Sequence, residues 1–105
     1  MLEQYAPLTN PWFYYFIKME PMDYIKQISI PTWAAFAEKD KQVNAQSNKK
    51  ALDNMGMSNI STQSFDGLNH LFQTAETGAV SEYSTISETF HPKVLEELAE
   101  WINSL

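Results

Sequence analysis

The fold of this chain is decided by the stretch Ile30-Pro31-Thr32-Trp33-Ala34-Ala35-Phe36-Ala37, which Glu38-Lys39-Asp40 follow directly. Apart from Thr32 and Pro31 the stretch is apolar, with neither the alternation of a half-buried strand nor the stripe of an amphipathic helix. Its eight residues are too few for a typical buried helix and suit a strand covered on both faces of a parallel sheet. Proline cannot donate to a sheet ladder, so Pro31 fits only at the start of that strand.

Charged residues begin directly after this predicted strand, which places Asp40 just beyond its carboxyl end. A second strand is predicted over Asn59–Phe65, which has β-branched residues and no breakers, and the loop that carries His70 follows it. Between the strands we predict a helix that begins after Asn44 and stops at Gly56. Because this helix carries the chain back, the strands should be parallel. The acid and the histidine then leave the same edge of the sheet, where functional groups of open α/β sheets gather.

Helical segments are predicted on both sides of this strand pair. Five of the six residues in Trp12–Ile17 are aromatic, which favours a buried helix that anchors the domain over an exposed platform for a ligand or partner. One or two helical turns are predicted over Pro21–Gln27, after a weak helical pattern in residues 1–10. Apolar residues recur three and four apart over 92–105, which predicts an amphipathic helix. The connection before it contains either a short helical turn or irregular structure at 81–86.

The predicted fold class is therefore α/β, a β-α-β-α unit with two parallel strands flanked by helices and preceded by an aromatic-rich helical segment. The 105 residues suit one domain, with a helical lead-in over 1–27 and strand-helix-strand-loop-helix over 28–105. Seven basic and thirteen acidic residues give a net charge of −6 without a basic stripe, which argues against nucleic acid and anionic membranes as partners. No apolar run reaches the roughly eighteen residues of a membrane span, and the sequence leaves the cellular compartment open.

Asp40 and His70 are the candidate catalytic residues. An aspartate that holds the tautomer of an imidazole, and a histidine that takes a proton from a nucleophile, are two of the three members of a hydrolase triad. By spacing alone, a loop carboxylate and a half-exposed histidine without a catalytic role explain the same pattern. The nucleophile is absent, because Gly56, Gly67 and Gly78 lie too far apart for a Gly-x-Ser-x-Gly elbow and the chain has no cysteine.

No metal-binding or cofactor-binding motif accompanies these residues. His91 is the other histidine of the chain, and its spacing from His70 fits no zinc motif. Because Pro92 follows it, we predict that His91 caps a helix or lies at the surface. Asn69 and Gln73, which flank His70, are predicted to brace its loop by hydrogen bonds rather than to bind substrate.

The run Gly67-Leu68-Asn69-His70-Leu71-Phe72-Gln73 follows the second predicted strand. Through this run, its most specific match, the chain resembles the carboxyl-terminal third of α/β-hydrolases, above all the serine esterase and peptidase-like members. The likeness runs over nearly the whole chain, and its other stretches are Asn10–Phe13, Glu20–Pro21, Ile28–Pro31, Ala37–Val43, Thr77–Gly78, Glu82–Tyr83, Glu88–Thr89 and the terminal helix through Ile102. The chain departs from the family at Ala37, where glycine is usual, and at Asn44, where proline is usual.

The resemblance implies that Asp40 is the triad acid and His70 the triad base, in the family order serine, aspartate, histidine. It also implies a parent enzyme that hydrolyses small-molecule esters or amides through an acyl-serine. The nucleophile and the oxyanion hole would lie in an amino-terminal half that is missing from this sequence. We therefore expect the chain alone to have no hydrolase turnover.

Two other functions are compatible with the sequence. The chain could be a non-catalytic module that keeps part of the fold and binds a partner or itself. A two-stranded sheet is poorly stable alone and an apolar strand edge invites pairing, so we expect a homo-oligomer. The third reading is a small enzyme that uses Asp40 and His70 for acid–base chemistry without a serine.

Overall fold

Two parallel strands and the helix that connects them form the centre of the fold in the computed structural model, which describes residues 10–105. The weak helix predicted before Asn10 lies outside the described residues. In chain order the elements are helix α1 (Pro11–Lys18), helix α2 (Pro21–Ile25), strand β1 (Thr32–Ala37), helix α3 (Ala45–Asn54), strand β2 (Ile60–Phe65), a 3-10 helix (Val80–Thr85) and helix α4 (Pro92–Asn103). The predicted α/β class is confirmed.

The strands pair in parallel, as predicted, with Thr32 opposite Ile60 and Ala37 opposite Phe65. Strand β1 begins two residues later than the predicted start at Ile30. The reason is the hydrogen bond that opens the pairing, in which the Thr32 amide donates to the Asn59 carbonyl at 2.8 Å. The proline before Thr32 has no N–H for this contact.

Side-chain caps fix the starts of three helices. Asn10 caps α1, and Asn44 caps α3 by accepting from the Ser47 amide at 2.8 Å. His91 caps α4 by accepting from the Lys93 amide at 3.1 Å, which confirms the predicted capping position. Each cap satisfies a backbone N–H that the first helical turn leaves without a partner.

The core is a small cluster directly beneath the carboxyl edge of the sheet. Its buried members are Ala37, Phe65, Leu68 and Val94. The Phe65 ring makes edge contacts with Trp33 at 6.2 Å and with Phe72 at 6.3 Å between centroids. The best-packed part of the molecule is therefore the part that carries the Asp40 and His70 loops.

The predicted burial of β1 on both faces is wrong for the residues that the structure describes. Five of its six residues are half-buried and only Ala37 is buried, because within residues 10–105 the sheet has no third strand and no complete second layer. The favoured burial of the aromatic segment is wrong as well. Helix α1 forms where predicted, but it buries none of its own residues against the described chain.

The apolar stripe of α4 is also largely uncovered. Val94 is 2% exposed, whereas Leu95 and Ile102 are each 52% exposed. None of the helices described is long and apolar enough to cross a membrane. The described chain thus has a compact centre with apolar helices that lack a covering layer.

Candidate functional site

The carboxyl edge of the sheet brings Asp40 and His70 into direct contact. The Nδ1 atom of His70 lies 2.8 Å from Oδ2 of Asp40. Both side chains sit on loops that leave neighbouring strand ends, with Asp40 after β1 and His70 after β2. A carboxylate oxygen only accepts, so the proton of this hydrogen bond belongs to Nδ1. The neutral imidazole is thereby held with Nε2 unprotonated.

The two partners differ in their access to solvent. The side chain of Asp40 is 10% exposed and that of His70 is 35% exposed. Within residues 10–105 no group hydrogen-bonds Nε2 of His70. The imidazole is therefore the more accessible member of the pair, while the carboxylate is largely shielded.

Asp40 is held as a carboxylate by its surroundings. Burial works to raise its pKa, but hydrogen bonds from the Val43 amide, from His70 and from the Gln42 amide outweigh burial, so the pKa lies below its ordinary value. Oδ1 accepts the amides of Gln42 and Val43 at 2.8 and 2.9 Å. Both oxygens are thus occupied, and the carboxylate has one orientation toward the imidazole.

The loop that carries His70 is braced from inside by Asn69, as predicted. Asn69 is fully buried, and its Oδ1 accepts the amides of Leu71 and Gln73, both at 3.0 Å. Its Nδ2 donates to Oε1 of Gln73 at 3.0 Å, and its backbone amide donates to the Gln73 carbonyl. One amide side chain therefore closes a tight loop beneath the histidine.

The far side of this loop is tied to the segment before α4. Glu88 accepts the Thr74 amide at 2.7 Å, and Gln73 donates to the Glu88 carbonyl at 2.9 Å. The His91 amide donates to the carbonyl of Phe72, whose φ of 57° lies in the left-handed region that non-glycine residues rarely adopt. Three contacts that cross 14 to 19 residues of chain thus hold this strained residue two positions after His70.

An open polar cleft of about 940 Å³ lies beside Asp40, between α3 and the carboxyl edge of the sheet. Its walls carry charges of both signs, from Glu38, Lys41, Lys49 and Asp53. In the described part of the chain, no group of three or more acidic or histidine side chains is arranged to hold a metal ion. The cleft thus offers polar contacts next to Asp40, whereas His70 does not line it.

Comparisons with models of protein families, with curated proteins and with solved structures found no match to this chain. A function is therefore inferred from the geometry of the site and from the resemblance of its sequence to α/β-hydrolases.

Several residues around the pair have no role in the sequence prediction. They are Lys39, Gln42, Val43, Glu82 and Tyr83. Val43 acts through its backbone amide, which any residue carries, whereas Gln42 also donates through its side chain to the Tyr83 hydroxyl. All five residues fall within stretches that carry the family resemblance, Ala37–Val43 and Glu82–Tyr83, but the resemblance assigns them no role.

Proposed function

We propose that this chain carries the acid and the base of a Ser-Asp-His hydrolytic centre of the α/β-hydrolase type. The observation that supports the proposal is the 2.8 Å contact between Asp40 and Nδ1 of His70, whose side chain is 35% exposed. The substrates would be small-molecule esters or amides, cleaved through an acyl-serine. The serine would come from polypeptide outside these 105 residues.

In that centre His70 is the proton carrier. Nε2 takes the proton of the serine hydroxyl as the oxygen attacks the substrate carbonyl, and it returns the proton to the leaving alcohol or amine as that bond breaks. A water molecule then attacks the acyl-serine, and Nε2 takes the proton of that water. Nε2 returns the proton to the serine oxygen as the carboxylic acid product leaves. Asp40 stays ionised throughout and stabilises the imidazolium, a role that suits its lowered pKa and its two backbone donors.

A reconstituted enzyme tests this proposal. The full chain is mixed with the amino-terminal half of an α/β-hydrolase that contains the nucleophile elbow, and release of nitrophenol from a short nitrophenyl ester is followed. We expect turnover only in the mixture, with a loss of about 10³-fold or more in His70→Ala and a smaller loss in Asp40→Asn.

His91→Ala is the matched control, because the His91 side chain caps α4 and makes no hydrogen bond with Asp40. Its reconstituted turnover should equal that of the unchanged chain. Robust ester cleavage by the isolated chain, or equal loss in both histidine variants, would contradict the assignment. A pH–rate profile of any isolated-chain activity would identify acid–base chemistry without a serine.

A second candidate function is self-association, and helix α1 favours it. Trp12 is 71% exposed, Tyr15 62% and Phe16 54%, although a helix that is apolar around its circumference is ordinarily enclosed. At about 200 Å² for each fully exposed aromatic side chain, the large apolar residues of α1 present several hundred Å². That approaches the roughly 800 Å² per partner of a standard interface.

Sedimentation velocity over the micromolar range tests this second candidate. We expect the unchanged chain to form dimers or larger species, and the double variant Trp12→Ala with Phe16→Ala to dissociate at least about tenfold more readily. Leu95→Ala on α4 removes an equally exposed apolar side chain elsewhere and should leave the association unchanged. A compact monomer at every concentration would rule out this candidate.

A further inference from the structure

We propose that the 3-10 helix Val80–Thr85 is a positioning clamp for the Asp40–His70 pair, and that Glu82 and Tyr83 are its two contact residues. This inference rests on the proposed function, because it assigns positioning residues to the same site. Neither Glu82 nor Tyr83 contacts the imidazole. Each acts on one of the two loops that carry the acid and the base.

Glu82 organises the continuation of the His70 loop. Its carboxylate accepts three successive backbone amides, those of Glu76 at 3.2 Å, Thr77 at 3.1 Å and Gly78 at 3.2 Å. Burial works to raise the pKa of Glu82, but these amides lower it below its ordinary value. The carboxylate therefore stays charged at neutral pH and gathers the segment 76–78 into a fixed turn.

The same segment is fastened to the Asp40 loop by Lys39. The Lys39 ammonium donates to the carbonyls of Ala75 at 2.8 Å and Glu76 at 3.0 Å. Gly78 packs so closely on the Lys39 backbone that an added Cβ would lie 1.9 Å from the Lys39 carbonyl oxygen. Glu82 accepts from amides of the segment 75–78, and Lys39 donates to carbonyls of the same segment. Backbone donors and backbone acceptors of the segment are thus both hydrogen-bonded.

Tyr83 supplies the second contact of the clamp, with the residues that follow Asp40 in the sequence. Its hydroxyl accepts from Nε2 of Gln42 at 2.8 Å, and the backbone amide of Gln42 in turn donates to Oδ1 of Asp40. The 3-10 helix thus contacts the segment 76–78, which continues the His70 loop, and Gln42, which lies just after Asp40. Through these contacts it fixes the carboxylate against the imidazole.

Hydrogen exchange in the full 105-residue chain tests the clamp, read by NMR at the amides of Gln42 and Val43 and at the Nδ1 proton of His70. Tyr83→Phe removes only the hydroxyl. We expect exchange at these three sites to become about tenfold faster, which is the equivalent of one ordinary hydrogen bond. The amide of Phe65 in β2 should keep its protection.

Two further variants sharpen the test. Glu82→Gln keeps the side-chain volume but removes the charge, and it should speed exchange at the Thr77 and Gly78 amides and at the Nδ1 proton of His70. Tyr24→Phe is the matched control, because it removes the hydroxyl of another hydrogen-bonded tyrosine, 2.7 Å from Tyr15 and remote in sequence from the site. It should leave all of these rates unchanged.

The clamp is overturned if Tyr83→Phe leaves the exchange rates of the Gln42 and Val43 amides unchanged. It is also overturned if the variant speeds exchange at the Phe65 amide by the same factor, because that result would show a general loosening of the fold. Ester cleavage separates this result from the fate of the proposed function. In the reconstituted enzyme we expect Tyr83→Phe to lower kcat about tenfold with KM unchanged. If exchange fails to respond while His70→Ala still abolishes cleavage, the clamp is wrong and the hydrolytic role stands.

Discussion

The site around His70 and helix α1 differ in how their residues are packed and hydrogen-bonded. Around His70, Asn69 is fully buried and has partners for its amide oxygen and nitrogen, and no buried side-chain polar atom of residues 10–105 lacks a hydrogen bond. Helix α1, by contrast, has its cap and its aromatic neighbours but buries none of its residues. The site holds itself together through internal contacts. The aromatic helix has an apolar surface for which the described chain offers no cover.

This difference has an energetic meaning. Buried hydrogen bonds and backbone packing at the site should make substitutions there costly to folding. Substitutions on α1 should barely affect the unfolding of a monomer and should instead alter association. Substitutions in the two regions therefore test this contrast.

The largest effect is expected for Gly78→Ala. The new Cβ would overlap the Lys39 carbonyl oxygen at 1.9 Å, and the φ of +80° adds backbone strain, so the free energy of unfolding should fall by about 3 kcal/mol. Gly56→Ala carries similar strain at φ +64° with no atom within 4 Å, and should cost about 1 kcal/mol. Urea unfolding of both variants measures the difference, and equal losses would show that the close approach does not constrain the loop.

Asn69→Ala comes next. It leaves the buried amide of Gln73 and the partly buried amide of Leu71 without their acceptor, so we expect a loss of about 2 kcal/mol in the same assay. Asn54→Ala changes the same residue type at an exposed position on α3 and should stay within about 0.5 kcal/mol. A loss below 1 kcal/mol for Asn69→Ala would mean that the hydrogen bonds around His70 stabilise the fold no more than contacts elsewhere in the described chain.

Val94→Ala tests the comparison within one helix. Removing two buried methyl groups should cost about 1.5 kcal/mol, whereas Leu95→Ala, at a residue 52% exposed, should cost less than about 0.5 kcal/mol. Phe16→Ala on α1 should behave like Leu95→Ala when unfolding is measured at concentrations where the chain is monomeric. A loss above 1 kcal/mol for Phe16→Ala there would show that α1 packs on its own chain.

The smallest effect is the contribution of Asp40 to the pH dependence of stability. Because the folded-state pKa lies below the ordinary value of about 4, this contribution is present above that value and is lost as the pH falls through the folded-state pKa. Unfolding free energies between pH 5 and pH 2 should therefore fall less steeply in Asp40→Asn. Equal slopes in Asp40→Asn and in the unchanged chain would contradict this prediction.

The sequence allowed much of this fold to be predicted because its signals are local or periodic. The apolar run ending at Ala37, the cap at Asn44 and the stripe after Pro92 each predict an element from adjacent residues. The contact between Asp40 and His70 followed from one topological rule, that the carboxyl ends of parallel strands meet at one edge. The contact between these two side chains could therefore be predicted without knowledge of long-range contacts, whereas their proposed roles rest on the family resemblance.

The supporting contacts could not be predicted in the same way. Gln42 meets Tyr83 across 41 residues and Lys39 meets Ala75 across 36, each through a single hydrogen bond that leaves no periodic trace in the sequence. The aromatic density of Trp12–Ile17 indicated a need for burial, and the structure shows that the described chain does not meet it. The aromatic content of this segment predicts that it packs against an apolar surface, but it does not identify the polypeptide that supplies that surface.

The long reach of the Lys39 contacts has a consequence for synthesis. The ribosome adds Lys39 to the chain 36 residues before Ala75. At about 5 to 20 residues per second, that interval lasts some seconds. The carbonyls that bind the Lys39 ammonium do not exist before the interval ends, so these contacts between the Asp40 loop and residues 75–76 form only after most of the chain has been synthesised.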